Sequence, residues 1–230
     1  MKLIPDSASP TIALSENLRR VLKTIDEGCS DLAGGFNLPR ECYTDPEFYA
    51  FEQEAIFMRS WLCLGRVDEI PEPGDFVRVD MGDEPLVMVR GAEGDIRVFT
   101  PVCAHRGHIL CEGAGSTGRL FRCPFHAWTY GLDGHLVAAP SMTDTVPLHD
   151  LKAETSLPSH QVEIWNGFVF TNLDPNAPPL APTLHKLTAT LANYRVGEMV
   201  SMPVADILNC KWNWKPQLEN GIEPYHSAYL

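Results

Sequence analysis

Four residues in two short runs have the types and spacing to bind a metal. Cys103-Ala104-His105 is followed, after 17 intervening residues, by Cys123-Pro124-Phe125-His126. Each run offers one thiolate and one imidazole. Such a donor set suits tetrahedral zinc or a two-iron, two-sulfur cluster with mixed ligation. Structural zinc sites commonly pair cysteines with two to four residues between them, and a C-x-H half is too tight for that knuckle. Two loops that each give one Cys and one His fit a cluster whose cysteines take one iron and whose histidines take the other. Neutral imidazoles in place of two thiolates make a cluster less negative and easier to reduce, at about −150 to +300 mV against about −400 mV for all-cysteine plant-type clusters. The second ring nitrogen of His105 or His126 stays free to donate a hydrogen bond.

The elements around these runs are short. Ser15 to Asp26 reads as a helix with Leu18, Val21, Leu22 and Ile25 on one face, and Gly34-Gly35 breaks it. A second helix is predicted over 46–60, with Asp45 as N-cap, Pro46 at the first position and Phe48, Phe51, Ala55 and Met58 as its stripe. From 61 to 175 the pattern turns to short strands: 76–81, 85–90, 96–102, 118–122, 128–132, and a hairpin of 161–165 and 168–171 around Asn166-Gly167. Both ligand runs fall on loops of this antiparallel β region. Pro175, Pro178, Pro179 and Pro182 mark a linker, after which 183–194 and 216–230 read as helical, with 199–214 extended. The expected fold class is α+β. It consists of a helical segment over 1–60, a small antiparallel β domain over 61–175, and the start of an α+β domain over 183–230.

Composition narrows the functions. Lys and Arg total 18 against 30 Asp and Glu, a formal charge of −12, which argues against a partner bound through phosphate neutralisation. No apolar run is long enough to span a membrane, and Met1 to Pro10 lacks the features of a secretory signal, so a cytoplasmic protein with no nucleic acid and no membrane is expected. Seven cysteines at irregular spacing are no disulfide framework. Cys111 reads as a buried thiol, and His108 and His135 as loop or solvent-facing histidines. Arg106 is assigned no chemistry.

Cys103 to Leu110 reads C-x-H-R-G-x-x-L. Cys123 to Tyr130 reads C-P-[FY]-H-x-W-x-Y and runs on into Gly131-Leu132-Asp133-Gly134. With Trp61 and the run Trp165 to Asn172, the chain from about residue 40 onward resembles the N-terminal, Rieske-domain part of ring-hydroxylating non-haem iron oxygenase α subunits. The resemblance implies that Cys103, His105, Cys123 and His126 bind a Rieske 2Fe-2S cluster. In Rieske proteins of electron-transport chains an extra cysteine in each loop forms a disulfide. Phe125 occupies that place here and leaves Cys111 without a partner in the second loop.

Asn213-Trp214-Lys215 through Glu219-Asn220 to Glu223, Tyr225 and His226 resembles the family segment N-W-K-x-x-x-E-N-x-x-[DE]-x-Y-H. The resemblance makes His226 the first ligand of a mononuclear Fe(II) and Glu223 the catalytic acid that bridges the two metal centres. Glu219, Glu223 and His226, four and three apart, share one helix face, although Pro224 disturbs a regular helix. Two histidines and a carboxylate leave open iron positions for O2 and substrate. Glu rather than Asp at 223 is similar to the choline, betaine and carnitine monooxygenase branch and hints at a quaternary ammonium substrate. Other members serve aromatic hydrocarbon catabolism.

The implied function is an oxygenase subunit that passes NAD(P)H-derived electrons from a reductase or ferredoxin through the cluster to the ferrous site. There O2 and a small organic substrate meet, in a homotrimer or hexamer. The expected second histidine falls at position 231, past Leu230, so the chain is expected to be a fragment that is inactive alone. A stand-alone Rieske electron carrier and a zinc-stabilised interaction module are the competing readings.

Overall fold

A computed structural model describes residues 14–30, 37–142, 146–202, 210–222 and 227. In chain order the elements are α1 (Glu16–Ser30), α2 (Glu41–Thr44), α3 (Pro46–Glu52), β1 (Leu62–Arg66), β2 (Asp75–Met81), β3 (Glu84–Arg90), β4 (Ile96–Phe99), β5 (Ala114–Ser116), β6 (Leu120–Arg122), β7 (Thr129–Gly131), β8 (Leu136–Ala138), α4 (Leu148–Glu154), β9 (Gln161–Trp165), β10 (Phe168–Asn172), α5 (His185–Leu191) and α6 (Lys215–Ile222). The chain divides into two units, residues 57–202 and a smaller one formed by 1–56 together with 203–230. The chain adopts the α+β class expected from the sequence.

In the smaller unit α1 begins on Ser15, whose Oγ accepts the Leu18 N–H at 3.1 Å. Asp45 caps α3 by accepting the Glu47 N–H at 2.8 Å, with Pro46 at the first position. Leu18, Val21, Cys42, Phe48 and Phe51 form the core. The helix does not run regularly to residue 60. It widens into a π turn over Gln53–Phe57, and no Gly or Pro there announces the change.

The larger unit holds three antiparallel sheets, ordered β1-β10-β9, β4-β3-β2-β5 and β6-β7-β8. Strand β3 is buried on both faces. Val87 and Val89 enter the core that also holds Phe99, Phe121, Trp128 and Tyr130, while Leu86 and Met88 enter a second core with Ile70, Val98 and Val169. The two-residue period of a strand sends alternate side chains to opposite cores, which is why this run is continuously apolar. Each such fully buried side chain contributes roughly 1.5–3 kcal/mol.

The Asn166-Gly167 hairpin forms as expected, pairing Trp165 with Phe168, with φ of 48° and 81° at the two turn residues. Gly167 suits this turn by its φ and by the close approach of Arg66. A Cβ there would stand 2.7 Å from Nη2 of Arg66, which packs over the Phe168 ring at 4.6 Å. Strands β1, β5 and β8 and helix α4 are not expected from the sequence; β5 and β8 have three residues each, too few to show a period. The helix expected over 183–194 is instead a 3-10 turn, the short α5 and a second 3-10 turn that ends at Arg195 with φ of 52°. Among the described residues no helix is long and apolar enough to cross a membrane.

Candidate metal centre

Both candidate ligand runs sit on loops, one between β4 and β5, the other between β6 and β7. The loops repeat one backbone design. The Cys103 N–H donates to the His108 carbonyl at 2.8 Å, and the Gly107 N–H donates to the Cys103 carbonyl at 2.9 Å. In the second loop the Cys123 N–H donates to the Trp128 carbonyl at 2.8 Å, and the Ala127 N–H donates to the Cys123 carbonyl at 3.0 Å. The residue four after each cysteine has a left-handed φ, 73° at Gly107 and 56° at Ala127. For alanine this conformation costs about 1–2 kcal/mol, and the flanking hydrogen bonds hold it there.

The sulfur donors point inward and the nitrogen donors outward. Cys103 and Cys123 are 1% and 2% exposed and belong to the main core. His105 is half-buried and His126 exposed. Their rings are perpendicular, with centroids 4.6 Å apart, and His105 stacks on the buried Trp128 indole at 5.0 Å. All four side chains line one cavity of about 310 Å3, together with Arg106, Gly107, His108 and Phe125.

This arrangement tests the choice of metal. Two sulfurs on the buried side of a small cavity and two imidazoles on its open side fit the divided ligation of a two-iron cluster. His105 is held below the ordinary histidine pKa by desolvation and then by the positive fields of His126 and Arg106. That shift favours the neutral ring, the form that ligates.

Tyr130 is a further member of the site. Its Oη lies 3.4 Å from Cys103 Sγ and accepts the Ala104 N–H at 3.0 Å. Burial, followed by the Cys103 contact, raises its pKa above the ordinary phenol value, so it stays protonated. A thiolate at Cys103 has no proton to give, so in that state the phenol is the donor of the pair. Among the described residues no hydroxyl makes the equivalent contact with Cys123. The sequence carried the signal as the closing Tyr of C-P-F-H-x-W-x-Y, and reasoning that stopped at the four ligands missed it.

The remaining candidates fall around this centre. Cys111 is half-buried against the main core, and burial pushes its thiol up to about 11. His108 lines the cavity and meets Phe125 edge-on, with ring centroids 4.4 Å apart. Loop-to-loop contact at this place is therefore made by rings. His135 is exposed, with Nδ1 2.9 Å from Ser156 Oγ. Glu219 lies on α6 and accepts the Tyr43 hydroxyl at 2.7 Å. Glu223 and His226 lie outside the described residues.

Comparison with known proteins agrees with this geometry. Residues 60–160 match the Rieske [2Fe-2S] domain model. The carnitine monooxygenase oxygenase subunit of Acinetobacter pittii is 32% identical over 213 residues, 90% of this chain and 55% of that protein. The glycine betaine monooxygenase oxygenase subunit of Chromohalobacter salexigens is 35% identical over 219 residues, 94% of this chain and 48% of that protein. A crystal structure of a quaternary ammonium Rieske monooxygenase with its substrate gamma-butyrobetaine superposes with a TM-score of 0.81 at 32% identity, covering 88% of this chain and 58% of that one. The chain thus spans about half the length of the relatives it matches.

Proposed function

We propose that residues 60–160, which match the Rieske [2Fe-2S] domain model, form such a domain in an oxygenase subunit similar to those of the carnitine and glycine betaine monooxygenases, and that Cys103, His105, Cys123 and His126 hold the cluster. The observation that carries this reading is the pair of matching loops, which place two buried thiols and two outward imidazoles on one cavity. When bound, the cluster supplies one-electron redox chemistry at about −150 to +300 mV. The chain's own residues supply the rest. The loop hydrogen bonds fix both cysteines, the core around them keeps water from the sulfurs, and Tyr130 holds a proton against Cys103 Sγ. His105 and His126 present the site's open edge, beside the exposed Phe125.

On this reading the gene product is the oxygenase subunit of a cytoplasmic system, fed with NAD(P)H-derived electrons by a reductase or ferredoxin and assembled as a trimer or hexamer. Segment 1–60 is its helical lead-in, 61–175 the cluster domain and 183–230 the beginning of the catalytic domain. His226 is the candidate ligand of a mononuclear Fe(II) and Glu223 the candidate catalytic acid beside it. The substrate class is a small quaternary ammonium compound rather than an aromatic one. Glu at 223 and the names of the matched relatives support that choice.

The test is metal and sulfide analysis of the purified full-length gene product, with a redox titration. Two irons, two acid-labile sulfides and a potential between about −150 and +300 mV are expected. A colourless protein with one zinc, or a potential near −400 mV, would contradict the assignment. Oxygen uptake driven by L-carnitine, gamma-butyrobetaine or glycine betaine, and not by aromatic acids, checks the substrate class.

A further inference from the structure

The smaller unit contains a buried ion pair that the cluster does not use. Lys215 Nζ lies 2.6 and 2.8 Å from the two carboxylate oxygens of Glu52, and the side chains are 8% and 4% exposed. Three rings surround the ammonium, Trp214 at 5.0 Å, Phe48 at 5.4 Å and Tyr43 at 5.6 Å. The Trp214 indole N–H also donates to Glu52, at 3.3 Å. One helical turn on, Glu219 accepts the Tyr43 hydroxyl at 2.7 Å. Lys215 and Glu219 are four residues apart, so both contacts lie on one face of α6.

Apolar burial does not account for the placement of α6. Its large apolar side chains, Leu218 and Ile222, are 53% and 79% exposed. Contacts of the helix with α2 and α3 include a charge pair, the rings around it and a hydrogen bond. A buried ion pair recovers little net stability once desolvation is counted, but it demands one geometry. A carboxylate that receives both the Lys215 ammonium and the Trp214 indole fixes the rotation of the helix as well as its position. The sequence motif that opens with Asn213-Trp214-Lys215 then runs on through Glu219.

We infer that the Glu52–Lys215 pair, seconded by Tyr43–Glu219, is a register lock for α6, a positioning device that sets the rotation of the helix from which the proposed iron-site segment follows. The lock itself stands on the contacts above. Its consequence for iron rests on the function proposed in the preceding subsection.

Three variants of the full-length gene product test it: Lys215→Met, Glu52→Gln, and the apolar pair Glu52→Leu with Lys215→Met. The readouts are amide exchange along residues 215–222, the thermal midpoint, the cluster absorption, and iron bound beyond the cluster's own. Each single variant should speed exchange about tenfold or more, because one buried charge loses its partner. The apolar pair should recover the thermal midpoint, as apolar replacements of buried pairs do. It should not recover slow exchange in α6, and the additional iron should stay at half the wild-type level or less.

Full recovery of slow exchange and iron in the apolar pair would overturn the lock, since packing alone would then set the helix. Unchanged exchange in Lys215→Met would overturn it as well. So would loss of cluster absorption in all three variants, because the pair would then support the whole chain. A wild-type protein that takes up no iron beyond its cluster would defeat the oxygenase reading instead, while α6 exchange would still decide the lock.

Discussion

The loop carrying Cys103 and the loop carrying Cys123 close on the same hydrogen bonds, yet their surroundings differ at three points. The first has glycine at its left-handed position and the second alanine. The first has a phenol at its sulfur, and the second, among the described residues, has none. The first is rooted on Thr100, whose Oγ1 lies 2.9 Å from Nε2 of the half-buried His160. Matching backbones explain how two unlike sequences deliver the same pair of donors. The differences show which features of a ligand loop are geometric necessities and which tune the result.

The largest expected effect treats the loops alike. Cys103→Ser and Cys123→Ser should each abolish the cluster, read as loss of the visible absorption and of both irons. Retention of a full cluster by either variant would remove that cysteine from the ligand set.

The next effect should separate them. Tyr130→Phe removes the proton aimed at Cys103 Sγ. A hydrogen bond to a ligand sulfur favours the more negative, reduced cluster, so its loss should lower the potential by roughly 20–60 mV, equivalent to about 0.5–1.5 kcal/mol for one electron. The variant also removes the acceptor for the N–H of the exposed Ala104, so stability should fall by about 0.5–1.5 kcal/mol in a denaturant titration. An unchanged potential would mean that the two loops are electronically equivalent.

A smaller effect lies in the backbone. A Cβ on Gly107 meets nothing within 4 Å, so Gly107→Ala carries the left-handed penalty of about 1–2 kcal/mol, offset in part by the freedom it removes from the unfolded chain, about 0.4–1 kcal/mol. Ala127→Gly relieves that same penalty while adding freedom to the unfolded chain, so it should come within about 1 kcal/mol of neutral. Thermal melts of the two variants should therefore shift unequally, with Gly107→Ala the lower.

The smallest effect is in pH. Burial holds His160 below the ordinary histidine value of 6.5. The unfolded chain therefore binds the proton more tightly. The stability contributed by neutral His160 is complete above pH 6.5, declines as the pH falls from there, and is gone once the lower folded pKa is passed. His160→Gln should flatten that part of the stability–pH curve.

Legibility followed how local the physics is. The ligand runs, the Asp45 cap and the Asn166-Gly167 turn are set by neighbours a few residues away, and they could be read in the sequence. The three-residue strands β5 and β8 exist because partner strands hold them, and no period can show in three residues. The π turn after Glu52 has no compositional mark, and the pairing of Glu52 with Lys215 spans 163 positions. Tyr130 was visible as a motif residue, but its partner, Cys103, lies 27 positions away in the other loop.

The most direct test of the central claim is pulsed electron paramagnetic resonance of the reduced protein, grown with isotope-labelled histidine. Hyperfine coupling to two histidine nitrogens is the predicted result, with one of them lost in each of His105→Cys and His126→Cys. A spectrum without histidine nitrogen coupling, or no paramagnetic cluster at all, would contradict the assignment of Cys103, His105, Cys123 and His126.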